Sequence, residues 1–72
     1  MARDTVRDRV WTYCLTVTHR KGEAVRPEEA AEKASCSETT ARDTLNTIAA
    51  KGFVERDVLE DGTVRFLPTD TL

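Results

Sequence analysis

The sequence predicts an α+β domain, three helices followed by a two-stranded β-hairpin, from three observations. Apolar residues recur at helical spacing through residues 5–18 and again through 38–51. Between them lies an alanine-rich segment that opens on Pro27 and closes on a serine-rich turn. After Gly52 the pattern becomes strand-like, and Asp61-Gly62 marks a reversal between two short strands.

The first helix is expected over about residues 4–20. Val6, Val10, Tyr13, Cys14 and Val17 fall within one stripe about 100° wide, as an amphipathic helix requires. Asp4 near its start and Arg20 and Lys21 near its end suit the helix dipole, and Gly22 stops it. Trp11 and Leu15 lie off that stripe, one turn apart on a second face. Two uses are open to them: packing under the C-terminal strands, or a contact between the first helices of a dimer.

Residues 23–26 should be extended, because the residue before a proline is pushed out of the helical region, and a short third strand near Val25 fits there. The second helix is expected over about 27–34, with Pro27 in its first turn and Glu28 and Glu29 at its positive end. It buries Ala30, Ala31 and Ala34, whose small side chains let a crossing helix come close. Ser35-Cys36-Ser37 is the turn, and Ser37 is a good N-cap for the third helix. That helix spans about 38–51 and buries Ala41, Leu45, Ile48 and Ala49, with Gly52 as its C-terminal break. Its opposite side shows Thr39, Asp43, Asn46 and Ala50, flanked by Thr40, Arg42 and Thr47. The hairpin occupies about 53–67, and Pro68 ends its second strand.

Seventy-two residues allow one small domain, 1–72, whose core supplies only a few kcal/mol net; a dimer would add burial. No apolar run approaches the roughly 18 residues of a membrane-spanning helix. The first ten residues are charged where a signal peptide needs its apolar segment, so a cytoplasmic location is expected. Cys14 and Cys36 lack metal-ligand spacing and read as reduced core thiols, and the single His19 reads as exposed and structurally idle. No zinc site is expected. No nucleophile–base pair can be assembled, and Glu28-Glu29 and Glu60-Asp61 are explained by a helix start and a turn. The chain is therefore expected not to be an enzyme, with no catalytic residues, no cofactor and no evident small-molecule ligand.

Three helices and a hairpin, with a tight turn before the third helix, make the layout of a winged helix-turn-helix. The major groove of B-DNA admits one α-helix, whose N-terminal part reaches base edges. A helix in front holds it at an angle, and the hairpin tip can touch the neighbouring backbone.

The residues at these positions carry a resemblance. Ala30-Ala31-Glu32-Lys33-Ala34, then Ser37-Glu38-Thr39-Thr40-Ala41-Arg42, Leu45-Asn46-Thr47-Ile48 and Lys51-Gly52-Phe53-Val54-Glu55-Arg56 follow one pattern: a small-residue helix, a Ser-led recognition helix, Lys-Gly, a hydrophobic pair and a charged strand. The chain resembles winged helix-turn-helix transcription regulators of MarR-like and ArsR-like type, short halophilic archaeal ones in particular, over about residues 25–67. The resemblance implies double-stranded DNA as partner, with Ser37, Thr39 and Thr40 meeting backbone or base edges. It places Arg42, Asp43, Asn46 and Thr47 along the groove, and Gly62, Thr63 and Arg65 in the wing. The chain departs from the pattern at Ser35, where glycine is frequent, and at Glu38 and Asp43, where basic residues are common.

Acids outnumber bases 13 to 11, and lysine occurs only at positions 21, 33 and 51. Such a surface suits a high-salt interior, where the Debye length falls to about 3 Å at 1 M. In the third helix Arg42 and Lys51 only balance Glu38 and Asp43. Few counterions would be released on binding, so a DNA binder built this way needs hydrogen bonds, shape and a homodimer with two linked recognition helices. Asp43 suits a cytosine amino group and Asn46 an adenine. Two functions follow: a DNA-binding transcription regulator, or a winged-helix module that binds protein, favoured by the acidic balance and the Trp11-Leu15 face.

Overall fold

The computed structural model describes residues 5–69. Helix α1 covers Val6–Leu15 and begins at a capping box. The Thr5 hydroxyl accepts from the Asp8 N–H at 3.1 Å, and the Asp8 carboxylate accepts from the Thr5 N–H at 3.4 Å. The expected dipole partner Asp4 lies outside the described residues.

The first helix runs to Arg20, but its last five residues, Thr16–Arg20, wind as a π-helix. The Lys21 N–H bonds five residues back to Thr16 O at 3.3 Å. The Thr18 hydroxyl donates to the Cys14 carbonyl at 2.8 Å and is buried with it. This widened turn brings Thr18 into the interior beside Val17, a placement that a 100° stripe does not predict. Gly22, at φ +69°, then ends the helix, and the Glu23 N–H returns to Val17 O at 3.0 Å.

The short strand expected near Val25 is a single bridge. Val25 and Phe66 exchange both backbone hydrogen bonds at 2.8 Å, and both side chains are fully buried. Arg26 is extended ahead of helix α2, Pro27–Ala34, which carries proline in its first turn and buries Ala30, Ala31 and Ala34. Ser35 follows in the left-handed region at φ 56°, ψ 51°, and the Cys36 N–H closes on Ala31 O at 3.0 Å. Serine there bears a strain that glycine would not.

Helix α3, Glu38–Ala50, starts at Ser37, whose hydroxyl accepts from the Thr40 N–H at 3.1 Å. It ends one residue short of the expected bound, with Lys51 as its cap and Gly52 at φ +88°. Ala41, Leu45 and Ile48 are fully buried and Ala49 is partly so. Thr44 is buried among them, its hydroxyl donating to Thr40 O at 2.9 Å. That bond lets a threonine occupy a core-facing position.

Strands β1, Val54–Val58, and β2, Val64–Pro68, pair antiparallel in the register Val54↔Pro68, Arg56↔Phe66 and Val58↔Val64. Pro68 is thus the last residue of β2. Three residues close the hairpin: the Gly62 N–H turns back to Leu59 O at 2.9 Å, and the Leu59 N–H meets Thr63 O at 2.8 Å. Gly62 takes φ +89°, as a type I turn with a following bulge demands. Val54 and Phe66 share one hairpin face and enter the core, where Phe66 meets Val10, Cys14, Leu45 and Ile48 in one cluster. Burying Phe66 contributes about 1.5–3 kcal/mol, a large share for a domain this small.

Among the described residues, no helix is long and apolar enough to cross a membrane, and no group of three His, Cys, Asp or Glu side chains could hold a metal. Cys14 is buried and Cys36 partly buried, and both are free thiols. Burial pushes the Cys14 thiol up to about 11.

Candidate nucleic-acid interface

The alanines of α2 and Ala41 of α3 are buried against the core, so the two helices cross closely and leave the far side of α3 outward. Thr39, Asp43, Thr47 and Ala50 are exposed on that side, as the helical period predicts. The Thr47 hydroxyl is returned to its own helix, donating to Asp43 O at 3.1 Å. Ser37 and Thr40 are tied together at the N-terminus, where the Ser37 hydroxyl also donates to Thr40 Oγ1 at 3.0 Å. Asn46 is half-buried, and its Oδ1 is buried with no hydrogen-bond partner among the described residues. No donor holds that oxygen inward, so rotation of the amide towards a groove breaks no bond to it.

One flank of α3 faces the hairpin tip. Glu38 and Arg42 line a groove with Gly62, Thr63 and Val64, over Pro27 and Glu28. The fold thereby brings Arg42 and Thr63 to one place. Arg42 Nη2 lies 3.9 Å from Glu38 Oε2, one helical turn away, with both side chains about half exposed. At that distance and exposure the pair is weak and leaves the guanidinium available. Thr63 is held by the turn: its hydroxyl and its N–H, the latter at 2.9 Å, both donate to Asp61 and lower that carboxyl's pKa.

Arg65 is placed otherwise. It stands directly across the hairpin from Asp57, with Nε 2.8 Å from Oδ2. By the period of two it occupies the hairpin face opposite to Phe66. The register instead puts Arg56 on the Phe66 face. The alternation of Val54 with Phe66 was the signal that could have found Arg56.

A second cation was beyond any sequence signal. Arg7, exposed near the start of α1, reaches across 37 positions to donate from Nη1 to Thr44 Oγ1 of α3 at 3.4 Å. It stands at the flank of α3 away from the hairpin tip.

The second face of α1 packs on the head of β1. Trp11 meets Phe53 edge to face, with centroids 5.5 Å apart and an interplanar angle of 73°. Trp11 and Leu15 are half-buried, while Phe53 remains 41% exposed. His19 corrects the expectation of an idle side chain, for its Nε2 lies 3.1 Å from the Phe53 carbonyl. A carbonyl only accepts, so this bond needs the proton on Nε2. Thr69 donates to the same oxygen at 3.3 Å.

Comparison with protein families, with curated proteins and with solved structures found no match to this chain.

Proposed function

We propose that the chain is a sequence-specific double-stranded DNA-binding regulator of the MarR-like or ArsR-like winged helix-turn-helix kind. Helix α3 enters the major groove and the hairpin acts as the wing. The observation that carries this reading is the outward, uncovered side of α3, with Thr39, Asp43, Asn46 and Thr47, beside a hairpin tip that shares a groove with Arg42. Hydrogen bonds from these polar side chains supply readout, and Ser37 and Thr40 lie at the positive N-terminal end of the helix, where a phosphate is favoured. The charge of α3 together with its cap sums to zero through Arg42, Lys51, Glu38 and Asp43, so affinity rests on two linked copies and on hydrogen bonding more than on counterion release. The apolar patch of Trp11, Leu15 and Phe53 is the surface proposed for the homodimer. The lysine-poor acidic composition fits a halophilic archaeal cytoplasm.

The test is a selection from randomised duplexes, followed by a titration of the enriched sequence from low to molar KCl. A consensus, and binding that persists at high salt, is the expected result. No enriched sequence and no duplex binding at any salt would sink the reading. One observation favours a second reading, a module that binds protein: Arg42 and Arg65 each lie within ion-pair distance of a carboxylate. The same titration separates the two, because the module would not bind duplex DNA at any salt.

A further inference from the structure

We propose that Arg7 of α1 is a phosphate clamp on the flank of α3 opposite Arg42, so that both backbone strands bordering the groove are held. This rests on the DNA reading above and names a contact that lies outside the helix-turn-helix and the wing.

The geometry starts from the helix period. At 100° per residue, Thr44 lies roughly 200° from Arg42 around the outward side of α3. Thr39, Asp43, Asn46 and Thr47 all fall within the outward sector between them. Arg42 occupies one border of that sector, beside Gly62 and Thr63. Within α3 the other border carries hydroxyl residues, Thr40, Thr44 and Thr47, with Thr44 buried; its one cation, Lys51, stands at the C-terminal cap, about 10 Å along the helix axis from Thr44. Arg7 reaches the middle of that border from a different element, anchored by one N–H on Thr44 Oγ1. Thr44 Oγ1 in turn donates to Thr40 O, so the anchor is fixed to the backbone of α3.

The chemistry of the anchor matters. Thr44 is neutral, so the bond orients the guanidinium without cancelling its charge. Arg7 has no ion-pair partner among the described residues, whereas Arg42 lies near Glu38 and Arg65 is bonded to Asp57. The remaining N–H donors of Arg7 form a planar fork suited to phosphate oxygens. Phosphate contacts fix the register of a recognition helix in its groove, and a cation on each flank fixes it against both strands. An arginine left charged, pre-oriented and exposed beside the middle of α3 on this flank meets that requirement.

The test is the salt dependence of duplex binding by the full chain, using the duplex selected above. Each neutralised phosphate contributes about 0.9 to the slope of log K against log salt. Arg7→Gln should flatten the slope by about 0.9, so that its deficit against wild type narrows roughly eightfold per tenfold rise in salt. Arg7→Lys should restore the slope. Arg20→Gln, removing an exposed cation about 20 Å further along the first helix, should leave it unchanged. Thermal melting of each variant checks the fold, and a misfolded Arg7→Gln is replaced by Arg7→Met under the same expectation. If wild type binds and the Arg7 variants keep its slope, the clamp is overturned while the DNA reading stands. If wild type binds no duplex at any salt, both fall.

Discussion

Arg65 Nε lies 2.8 Å from Asp57 Oδ2, straight across the two strands of the hairpin and on the face turned away from Phe66. The pair closes the hairpin electrostatically and takes up a charge that the sequence assigned to DNA. Both side chains are more than a third exposed, so the contribution to stability is small, about 0.2–1 kcal/mol for a cross-strand pair in solvent.

Arg65→Ala should therefore lower the melting temperature by no more than a few degrees. It should also leave the salt slope of DNA binding close to that of wild type, in contrast to Arg7→Gln. A slope flattened as much by Arg65→Ala as by Arg7→Gln would show that the Asp57 bond yields to DNA.

The turn between α2 and α3 carries the next prediction. Ser35 sits at φ 56° with its Cβ in place, which costs about 1–2 kcal/mol, while glycine there would lose about 0.5–1 kcal/mol in the unfolded chain. Ser35→Gly should stabilise the domain by up to about 1 kcal/mol, read from the urea midpoint at unchanged m-value. A destabilised variant would mean that the serine side chain contributes more than its strain costs.

Cys14 makes stability depend on alkaline pH. Its thiol is pushed from 9.0 up to about 11 by burial, so the folded state keeps a proton that the unfolded chain releases. The stabilisation from this group is complete below pH 9 and is lost as pH rises towards 11. The loss is on the order of 2–3 kcal/mol. Burial, and after it Glu29, also raises the Tyr13 phenol. Chemical unfolding of wild type and Cys14→Ala at several pH values between 8 and 11 isolates the thiol: the wild-type curve should fall more steeply. Parallel curves would contradict the assignment.

Trp11 and Phe53 offer a check on assembly. Trp11→Ala removes one ring of an edge-to-face pair whose partner is already 41% exposed. Sedimentation equilibrium should register dissociation of a wild-type dimer to monomer. If the oligomeric state is the same with and without the indole, this face is not the dimer contact, and the pair serves only to pack α1 on the start of β1.

What could be read from the residues is what neighbours in the chain enforce. Pro27 and Ser37 open α2 and α3, and Gly22 and Gly62 mark a helix end and a turn, because capping, φ restriction and turn chemistry act within four or five residues. The apolar periods through α1 and α3 likewise named the inward faces, since burial acts on one whole side of a helix. The outward run of Thr39, Asp43 and Thr47 was the complement of that face. Thr44 escaped the same logic, for its hydroxyl is satisfied inside the core by the bonds to Thr40 O and from Arg7.

Contacts between elements were not readable, and they shape the candidate interface. Arg7 and Thr44 are 37 positions apart, and nothing in either segment states that they meet. The π-helical turn at Thr16–Arg20 arises where Thr18 is drawn inward, and the bond from His19 to Phe53 depends on where the end of that turn meets β1. The order of the elements and their inward sides follow from local chemistry. Which charges flank α3, and which are already paired, follows from how helices and hairpin dock, because packing joins residues according to their distance in space and not along the chain.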